Sequence, residues 1–154
     1  MAHQPFHGSV PNDRLYCPRY DMWVQMQDNG DVLIGATSFG IFLAGEIIGF
    51  TGKPRGGAVE RHRGLGTVEC AKTVLAVRSP LSLENLEANE AAEEMPAMIN
   101  GDPYGAGWLA HGRPTAWNAE RVLLVDAAAY RARILAMEPD AEILDGDARA
   151  KGPP

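Results

Sequence analysis

The stretch GTVECAKTVLAV, residues 66–77, joins two runs of β-favouring residues at a lysine, with no proline and no long loop between them. This pattern predicts a tight β-hairpin with Lys72 at its turn. Strand alternation would bury Val68 and Cys70 on the first strand and leave Glu69 facing outward. On the return strand the core would resume at position 74, 75 or 77. The hairpin would therefore hold one ammonium group rigidly in solvent.

Lys72 is one of only three lysines, and the other two, Lys53 and Lys151, lie in Gly/Pro-rich contexts. An exposed lysine at a turn is usually a solubilising residue. A rigidly projected amine also has the geometry that a covalently attached carrier group needs. An enzyme that attaches such a group must recognise the hairpin, and Glu69, three residues before Lys72, is the candidate contact for that modifying enzyme.

Length and composition predict one globular domain and exclude several functions. The chain has 154 residues, of which 45% are hydrophobic and 22% are charged. A net charge of -6 argues against nucleic acid as a partner, because phosphate binding depends on clustered Lys and Arg. No apolar run reaches the roughly 20 residues of a membrane helix, and the first residues lack the pattern of a secretory signal. We therefore expect no membrane association and a cytoplasmic location.

The cysteines and histidines do not form a recognisable chemical site. Cys17 and Cys70 lack the Cys-x-x-Cys spacing of redox or zinc motifs, and the four histidines are scattered without ligand spacing. We expect no metal site and no catalytic residue. Cys17, near the start of the chain, should be the more accessible thiol. Cys70 should be a small buried hydrophobe, although its place two residues from Lys72 leaves a redox role open.

Turn residues and hydrophobic patterns divide the chain into short strands followed by helices. Thr37 or Ser38 should cap a helical turn over 37–43, Asn89 should cap a short helix that Pro96 limits, and two helices should follow Asn118 and Asp126. Strands are predicted at 22–27, 32–34, 46–50, 66–70, 73–77 and 108–110. Apolar side chains expected to pack the last helices onto the sheet are Leu123, Leu124, Tyr130, Ile134 and Leu135.

This order predicts a mainly β fold, a small sandwich or flattened barrel with helices after it. The domain would span 15–138. The segments 1–14 and 139–154 are polar or rich in Pro and Gly, so we expect both to be flexible.

Several segments, in order, give the chain a family resemblance: IGATSFG at 34–40, GLGTVECAK at 64–72, Asn89-Glu90 and INGDPYGAGW at 99–108. Over most of 16–134 the chain resembles the H protein of the glycine cleavage system. The resemblance implies a lipoyl-domain-like β-sandwich, or barrel-sandwich hybrid. It also implies a non-catalytic carrier whose lipoic acid is joined by an amide to Lys72. The family pattern Glu-Ser-Val-Lys-Ala reads here as residues 69–73, with Glu and Lys retained.

The sequence departs from the family at the cleft beside the carrier arm. The family that the chain resembles has Glu directly before the Trp and Asp four residues after the lysine. In this chain these positions are Met22 and Ala76. Together with Tyr20 they would line a neutral cleft. Asp21 is shifted by one residue, which on a strand would turn its side chain away. A protonated amine needs a carboxylate or oriented acceptors, and a sulfane or thiol cargo suits a neutral cleft better.

In these departures the chain resembles the lipoate-binding proteins of heterodisulfide-reductase-like sulfur oxidation, which is the leading pathway hypothesis. The alternative is a glycine cleavage H protein that carries aminomethyl between the P, T and L proteins and binds the amine through backbone carbonyls. The resemblance implies lipoate-protein ligase or lipoyl-transfer enzymes as partners. It also implies dihydrolipoamide dehydrogenase and either the heterodisulfide-reductase-like complex or the glycine cleavage enzymes.

Two other classes and one surface stay open. A biotin carrier would have the pattern Met-Lys-Met at the turn, whereas Ala71 and Thr73 flank Lys72 here. An unmodified interaction module would keep the fold without a cofactor. The stretch KPRGGAVERHRG, residues 53–64, is either a solvated loop or a docking surface for an acidic partner.

Overall fold

The computed structural model describes residues 4–145. Strands occupy β1 His7–Gly8, β2 Leu15–Cys17, β3 Met22–Met26, β4 Val32–Ala36, β5 Ile47–Gly52, β6 Ala58–Val59, β7 Gly64–Cys70, β8 Thr73–Arg78, β9 Leu83–Ala88, β10 Ala110–Pro114 and β11 Glu142–Ile143. Helices occupy α1 Ser38–Ala44, α2 Glu90–Glu94, α3 Ala97–Gly101, α4 Trp117–Glu120 and α5 Ala127–Met137, with a 3₁₀ turn at Arg121–Leu123.

The strands form a β-sandwich, as the sequence predicted. Six strands make one antiparallel sheet in the order β2-β3-β4-β10-β9-β6, and β5-β7-β8 make a second antiparallel sheet of three strands. Val24 and Ile34 of the larger sheet share one buried cluster with Phe50, Val68 and Val77 of the smaller. Burial of this shared apolar surface stabilises the pairing of the two sheets.

A second buried cluster lies where the larger sheet meets the helices, and it depends on strand alternation. Met22 and Val24 belong to the cluster between the sheets, whereas Trp23 between them packs with Phe39 and Tyr130 of the helices. Trp23 lies opposite Gly35 on β4, where a Cβ atom would come within 2.5 Å of the indole ring. Only glycine leaves room for the ring at this position.

Three predicted helix caps are confirmed, and a fourth is wrong. The side chains of Thr37, Asn89 and Asp126 accept hydrogen bonds from the first turns of α1, α2 and α5. Helix α4 instead begins after Ala116, whose backbone provides the cap, so Asn118 lies inside the helix. In the segment that follows, Leu124, Tyr130 and Ile134 are buried as expected, but Leu123 and Leu135 are exposed.

Strand β10 begins later than predicted, at Ala110 rather than at position 108. In the loop just before this strand, the amide of Asn89 donates to the carbonyls of Ala106 and Trp108, at 2.8 Å in each case. These bonds hold the preceding loop in place and use a carbonyl that the strand ladder would otherwise need.

The segments 1–14 and 139–154, for which the sequence predicted flexibility, contact each other in the structure. Strand β1 pairs in parallel with β11, and Val10 donates its N–H to the Asp145 carboxylate at 2.7 Å. Phe6 is buried against the Phe39 and Phe42 rings in edge-on contacts, and these apolar contacts anchor the segment before β1. Residues 1–3 and 146–154 of these predicted segments lie outside the described residues. No helix within 4–145 is long and apolar enough to cross a membrane.

Candidate functional site

Lys72 lies in the two-residue turn between β7 and β8. Cys70 and Thr73 form the last residue pair of the hairpin, and Ala71 and Lys72 connect them. Both turn residues are exposed, and neither has a left-handed backbone conformation. Within residues 4–145, Lys72 forms no hydrogen bond and no ion pair. Its amine is therefore presented to solvent at a rigid end of the sandwich.

The hairpin follows the predicted alternation on its first strand and only partly on its second. Val68 and Cys70 are buried while Glu69 is exposed. On β8 only Val77 is buried. Val74 faces outward and is 61% exposed, and Leu75 is 41% exposed because it lies along an open cleft.

Glu69 occupies the outer face of the smaller sheet, between Gly49 on β5 and Val74 on β8. A Cβ atom at Gly49 would lie 3.0 Å from the Glu69 Oε1 atom, so the carboxylate extends over the bare backbone of β5. Glu69 has no hydrogen-bond or ion-pair partner among the residues that the structure describes. Its carboxylate is exposed on the same hairpin as Lys72, and its role in recognition by a modifying enzyme stays a prediction.

Tyr20, Met22 and Ala76 lie along one cleft, as the sequence analysis expected. The cleft encloses a small cavity of about 90 Å³ between the two sheets. Its walls are mainly apolar and include Leu75 and Ile47. A cleft of this kind suits an apolar group such as a dithiolane ring.

Asp21 also lines the cleft, contrary to the expectation from strand alternation. The residue precedes β3 and lies in a turn, with a left-handed backbone at φ 55°, so the alternation rule does not apply to it. Tyr130 of α5 donates its hydroxyl proton to Asp21 Oδ1 at 2.7 Å. Burial raises the pKa of the Asp21 carboxyl, and the Tyr130 hydrogen bond and the charge of Arg133 oppose that rise.

The Asp21 carboxylate is the end of a chain of hydrogen bonds from the first turn of α1. The Thr37 hydroxyl lies 2.7 Å from the Tyr130 hydroxyl and accepts a bond from the Gly40 N–H at 2.9 Å. Because Tyr130 gives its proton to Asp21, Thr37 donates to Tyr130. These bonds fix one wall of the cleft against the helices. The sequence signal was a turn before β3, which removes Asp21 from the strand.

Both cysteines are buried and free. The expectation that Cys17 is accessible was wrong, because Cys17 lies on β2 opposite Met22 and joins the cluster between the sheets. The expected burial of Cys70 is confirmed, and burial raises the pKa of its thiol. A buried thiol with a raised pKa is a poor nucleophile, so Cys70 acts as a small apolar core residue.

The stretch 53–64 contributes to two features, both at the end of the smaller sheet away from Lys72. Lys53 and Arg55 line a wide groove of about 770 Å³ beside His111 and Arg113. The groove lies near Gly52, at the opposite end of β5 from the residue that pairs with Cys70. Arg61, by contrast, belongs to a group of cationic side chains near Tyr20. The basic side chains of the stretch are therefore divided between the groove and the group near Tyr20.

The wide groove contains a carboxylate network that sequence reasoning missed. His111 Nε2 lies 2.9 Å from Asp31 Oδ2, and Arg113 donates to Asp31 Oδ1 at 3.3 Å. The His111 hydrogen bond and then the Arg113 guanidinium hold the pKa of the Asp31 carboxyl below its ordinary value, although burial works in the opposite direction. The three residues lie on adjacent strands β4 and β10 or just before them, which local sequence patterns do not reveal.

Comparison with known proteins gives consistent similarities. The model of the family described as "Glycine cleavage H-protein" matches residues 14–136. The chain is 38% identical over 122 residues to glycine cleavage system H protein 5 of Aquifex aeolicus, covering 77% of this chain and 82% of that protein. It is 40% identical over 124 residues to the glycine cleavage system H protein of Chlorobium luteolum, covering 80% of this chain and 95% of that one.

A solved structure agrees with these sequence similarities. The crystal structure of a glycine cleavage system H protein from Mycobacterium marinum matches with a TM-score of 0.71 and 33% sequence identity. The match covers 80% of this chain and 98% of that chain. The two chains therefore share an overall fold over most of their length.

Proposed function

Because the chain belongs to the glycine cleavage H-protein family, whose members are non-catalytic carriers of lipoic acid attached to a lysine, we propose that Lys72 is the lipoylated residue. We further propose that the protein serves glycine cleavage. The observation that supports Lys72 is an exposed amine without a partner, in a two-residue turn between strands of a packed sheet. A lysine in a salt bridge or in the core would not be available for amide formation.

The residues around the turn fit a lipoyl group. Amide formation on Lys72 would break no interaction within 4–145, and the paired strands would keep the point of attachment fixed. When bound, the group supplies a disulfide that thiolates can open and that can re-form. The apolar walls formed by Tyr20, Met22 and Leu75 offer a dry surface beside the hairpin.

A role in glycine cleavage requires the carrier to hold a protonated amine. Burial of an unpaired charge costs several kcal/mol, as an order of magnitude. Met22 and Ala76 cannot pair with such a charge, but Asp21 provides a carboxylate on the same cleft. Tyr130 bonds to Asp21 Oδ1 and fixes the orientation of the carboxylate. This arrangement supports an amine cargo despite the neutral residues at the two family positions.

A second candidate function follows from those neutral residues. Met22 and Ala76 suit a sulfane or thiol cargo, which would be handled in a heterodisulfide-reductase-like sulfur-oxidising system. The names of the similar proteins favour glycine cleavage, so the sulfur role is the second proposal. In either role the same hairpin would present the lipoyl group. Dihydrolipoamide dehydrogenase or another thiol enzyme would reoxidise its dithiol to the disulfide.

Intact mass spectrometry tests the attachment site. The chain would be treated with lipoate and lipoate-protein ligase alongside K72R and the matched control K53R. We expect one lipoyl mass increment on the natural chain and on K53R, and none on K72R. K72R should unfold within about 0.5 kcal/mol of the natural chain, because the side chain is exposed and unpaired. A lipoyl increment on K72R would refute the assignment.

Labelled glycine tests the pathway. The lipoylated chain would be incubated with the glycine decarboxylase P-protein, with an active H protein as the positive control. Transfer of label to the chain supports the glycine role. Absence of label on the chain, when the positive control is labelled, refutes that role and favours the sulfur proposal.

A further inference from the structure

Four arginines gather beside the cleft, at the end of the hairpin away from Lys72. The guanidinium carbon atoms of Arg19 and Arg78 lie 5.2 and 5.9 Å from the centre of the Tyr20 ring. The His62 ring meets the same tyrosine edge-on at 5.0 Å. Arg61 and Arg63 flank His62 in the chain. The Arg63 carbonyl accepts a hydrogen bond at 2.8 Å from the N–H of Ser79, the residue after Arg78. We refer to Arg19, Arg61, Arg63 and Arg78 as the arginine face.

The arginine face lacks internal charge compensation. Within residues 4–145, none of its four guanidinium groups lies within ion-pair distance of a carboxylate; Arg78 makes one hydrogen bond, to the His62 carbonyl at 3.4 Å. Arg14 and Arg113 elsewhere in the molecule each pair with an aspartate. Within residues 4–145 no ion pair fixes these four guanidinium groups, and like charges held together repel.

Two acids lie close in the chain or in space, and within residues 4–145 neither forms an ion pair with the face. Both carboxylate oxygens of Glu120 accept hydrogen bonds from Ser82, at 2.7 Å each. Glu60 is exposed at the start of the loop and has no ion pair in the described part of the chain. Nε of Arg61 and Nε2 of His62 are also buried without a hydrogen-bond partner there. Within the described residues the cluster thus has two buried nitrogen atoms without a hydrogen-bond partner and four arginines without an ion pair.

This concentration of charge is unusual for the molecule as a whole, whose net charge is -6. Guanidinium groups bind carboxylates through paired N–H donors, and clustered charge of one sign accelerates association with a surface of the opposite sign. An acidic patch on a protein is therefore the partner that the arginine face fits. Its position next to Tyr20 makes it continuous with the cleft.

The distance from Lys72 to the arginine face suits an enzyme that works on the attached group. Six residue steps along β8 separate Lys72 from Arg78, which corresponds to about 20 Å at roughly 3.4 Å per residue. A protein seated on the arginine face would cover the cleft mouth at Tyr20 and approach the hairpin from the side.

We propose that the arginine face docks an acidic surface patch of an enzyme that acts on the lipoyl group. This inference rests on the proposed carrier function. It predicts that docking depends on charges remote from Lys72 and weakens with salt, because the screening length at 0.15 M ionic strength is only about 8 Å.

Direct binding tests the proposal. The double variant R19Q/R78Q removes two exposed charges, and K53Q/R55Q makes the same charge change in the wide groove, which Tyr20 does not line. The dissociation constants of each lipoylated protein with the P-protein, the T-protein and dihydrolipoamide dehydrogenase would be measured at low and high salt. We expect R19Q/R78Q to weaken binding of at least one enzyme by about tenfold at low salt, and K53Q/R55Q by less than about twofold.

Further measurements separate docking from folding and from carrier function. R19K/R78K retains the charges and should bind within about threefold of the natural chain, and all variants should have the same melting temperature. Intact mass would confirm that each variant is lipoylated, so a loss of docking is distinct from a failure of attachment at Lys72. The proposal is overturned if R19Q/R78Q binds all three enzymes as tightly as K53Q/R55Q does.

Discussion

Glu69 lies directly opposite Val74 in the antiparallel pair of β7 and β8, and a single residue pair, Cys70 with Thr73, separates them from the turn that contains Lys72. The pairing fixes an exposed carboxylate and an exposed amine on one end of a rigid hairpin. A modifying enzyme can therefore read both groups at once without reshaping the chain.

We predict that Glu69→Gln slows lipoylation without altering the fold. A hydrogen bond to a charged group contributes about 1.5–3 kcal/mol, so kcat/KM of lipoate-protein ligase for the chain should fall by roughly 10- to 100-fold. The matched control is Glu46→Gln, another exposed acid, located just before β5. Equal ligation rates for the two variants would contradict a recognition role for Glu69.

The Asp21 carboxyl should give the stability of the protein a specific pH dependence. Its pKa is raised in the folded state, so the folded protein binds the proton more tightly than the unfolded chain does. The free energy of unfolding should then decrease as pH rises above the ordinary value of about 3.9. Urea unfolding between pH 3 and 7 should show this decrease in the natural chain and lose it in Asp21→Asn.

Tyr130→Phe provides the complementary test of the same site. The variant removes the hydrogen bond that lowers the pKa of Asp21, so burial should raise that pKa further. The free energy of unfolding should then decrease more steeply as pH rises. Parallel unfolding profiles for the natural chain, Asp21→Asn and Tyr130→Phe would show that folding does not shift the pKa of Asp21.

Asp31 should produce the opposite dependence. Its pKa is lowered in the folded state, chiefly by the His111 hydrogen bond, so its contribution to stability is fully present above the ordinary carboxyl value and is lost as pH falls through the lowered one. Acid unfolding below about pH 3.9 should therefore be less pH-dependent in Asp31→Asn. Asp28→Asn, an exposed acid in the same turn region, should follow the natural chain.

Gly35→Ala should destabilise the sandwich strongly. The added methyl would come within 2.5 Å of the buried Trp23 ring, whose Nε1 is also bonded to the Pro103 carbonyl at 3.0 Å. Overpacking of this kind costs about 1–3 kcal/mol or more in unfolding free energy. Gly64→Ala on β7 is the control, because no atom lies within 4 Å of its added Cβ. Similar melting temperatures for the two variants would argue against the tight fit at Trp23.

Local patterns predicted the features that depend on neighbouring residues. The alternation of Val68, Glu69 and Cys70 follows from the period of a strand, and the caps at Asn89 and Asp126 follow from side chains that reach the next helical turn. The family resemblance added the cleft residues, which no local rule brings together.

Features that depend on distant segments were not predictable from one sequence. Asp21 meets Tyr130 across 109 positions, and its left-handed backbone defeats the alternation rule. The arginine face joins a turn, a loop and the end of a strand, so its members look unrelated in the sequence. Phe6 and Val10 read as part of a polar tail until α1 and β11 supply the surface that buries them.

The parallel pair of β1 and β11 has a consequence for the order of folding. Its neighbouring contact, from Val10 to Asp145, closes a loop of 135 positions, whereas the sheet β5-β7-β8 is complete once Arg78 has been synthesised. Contacts between remote residues form late and open early, because loop closure must precede them. During translation the hairpin strands can pair before the ends meet, and among the strands amide hydrogen exchange should be fastest at β1 and β11.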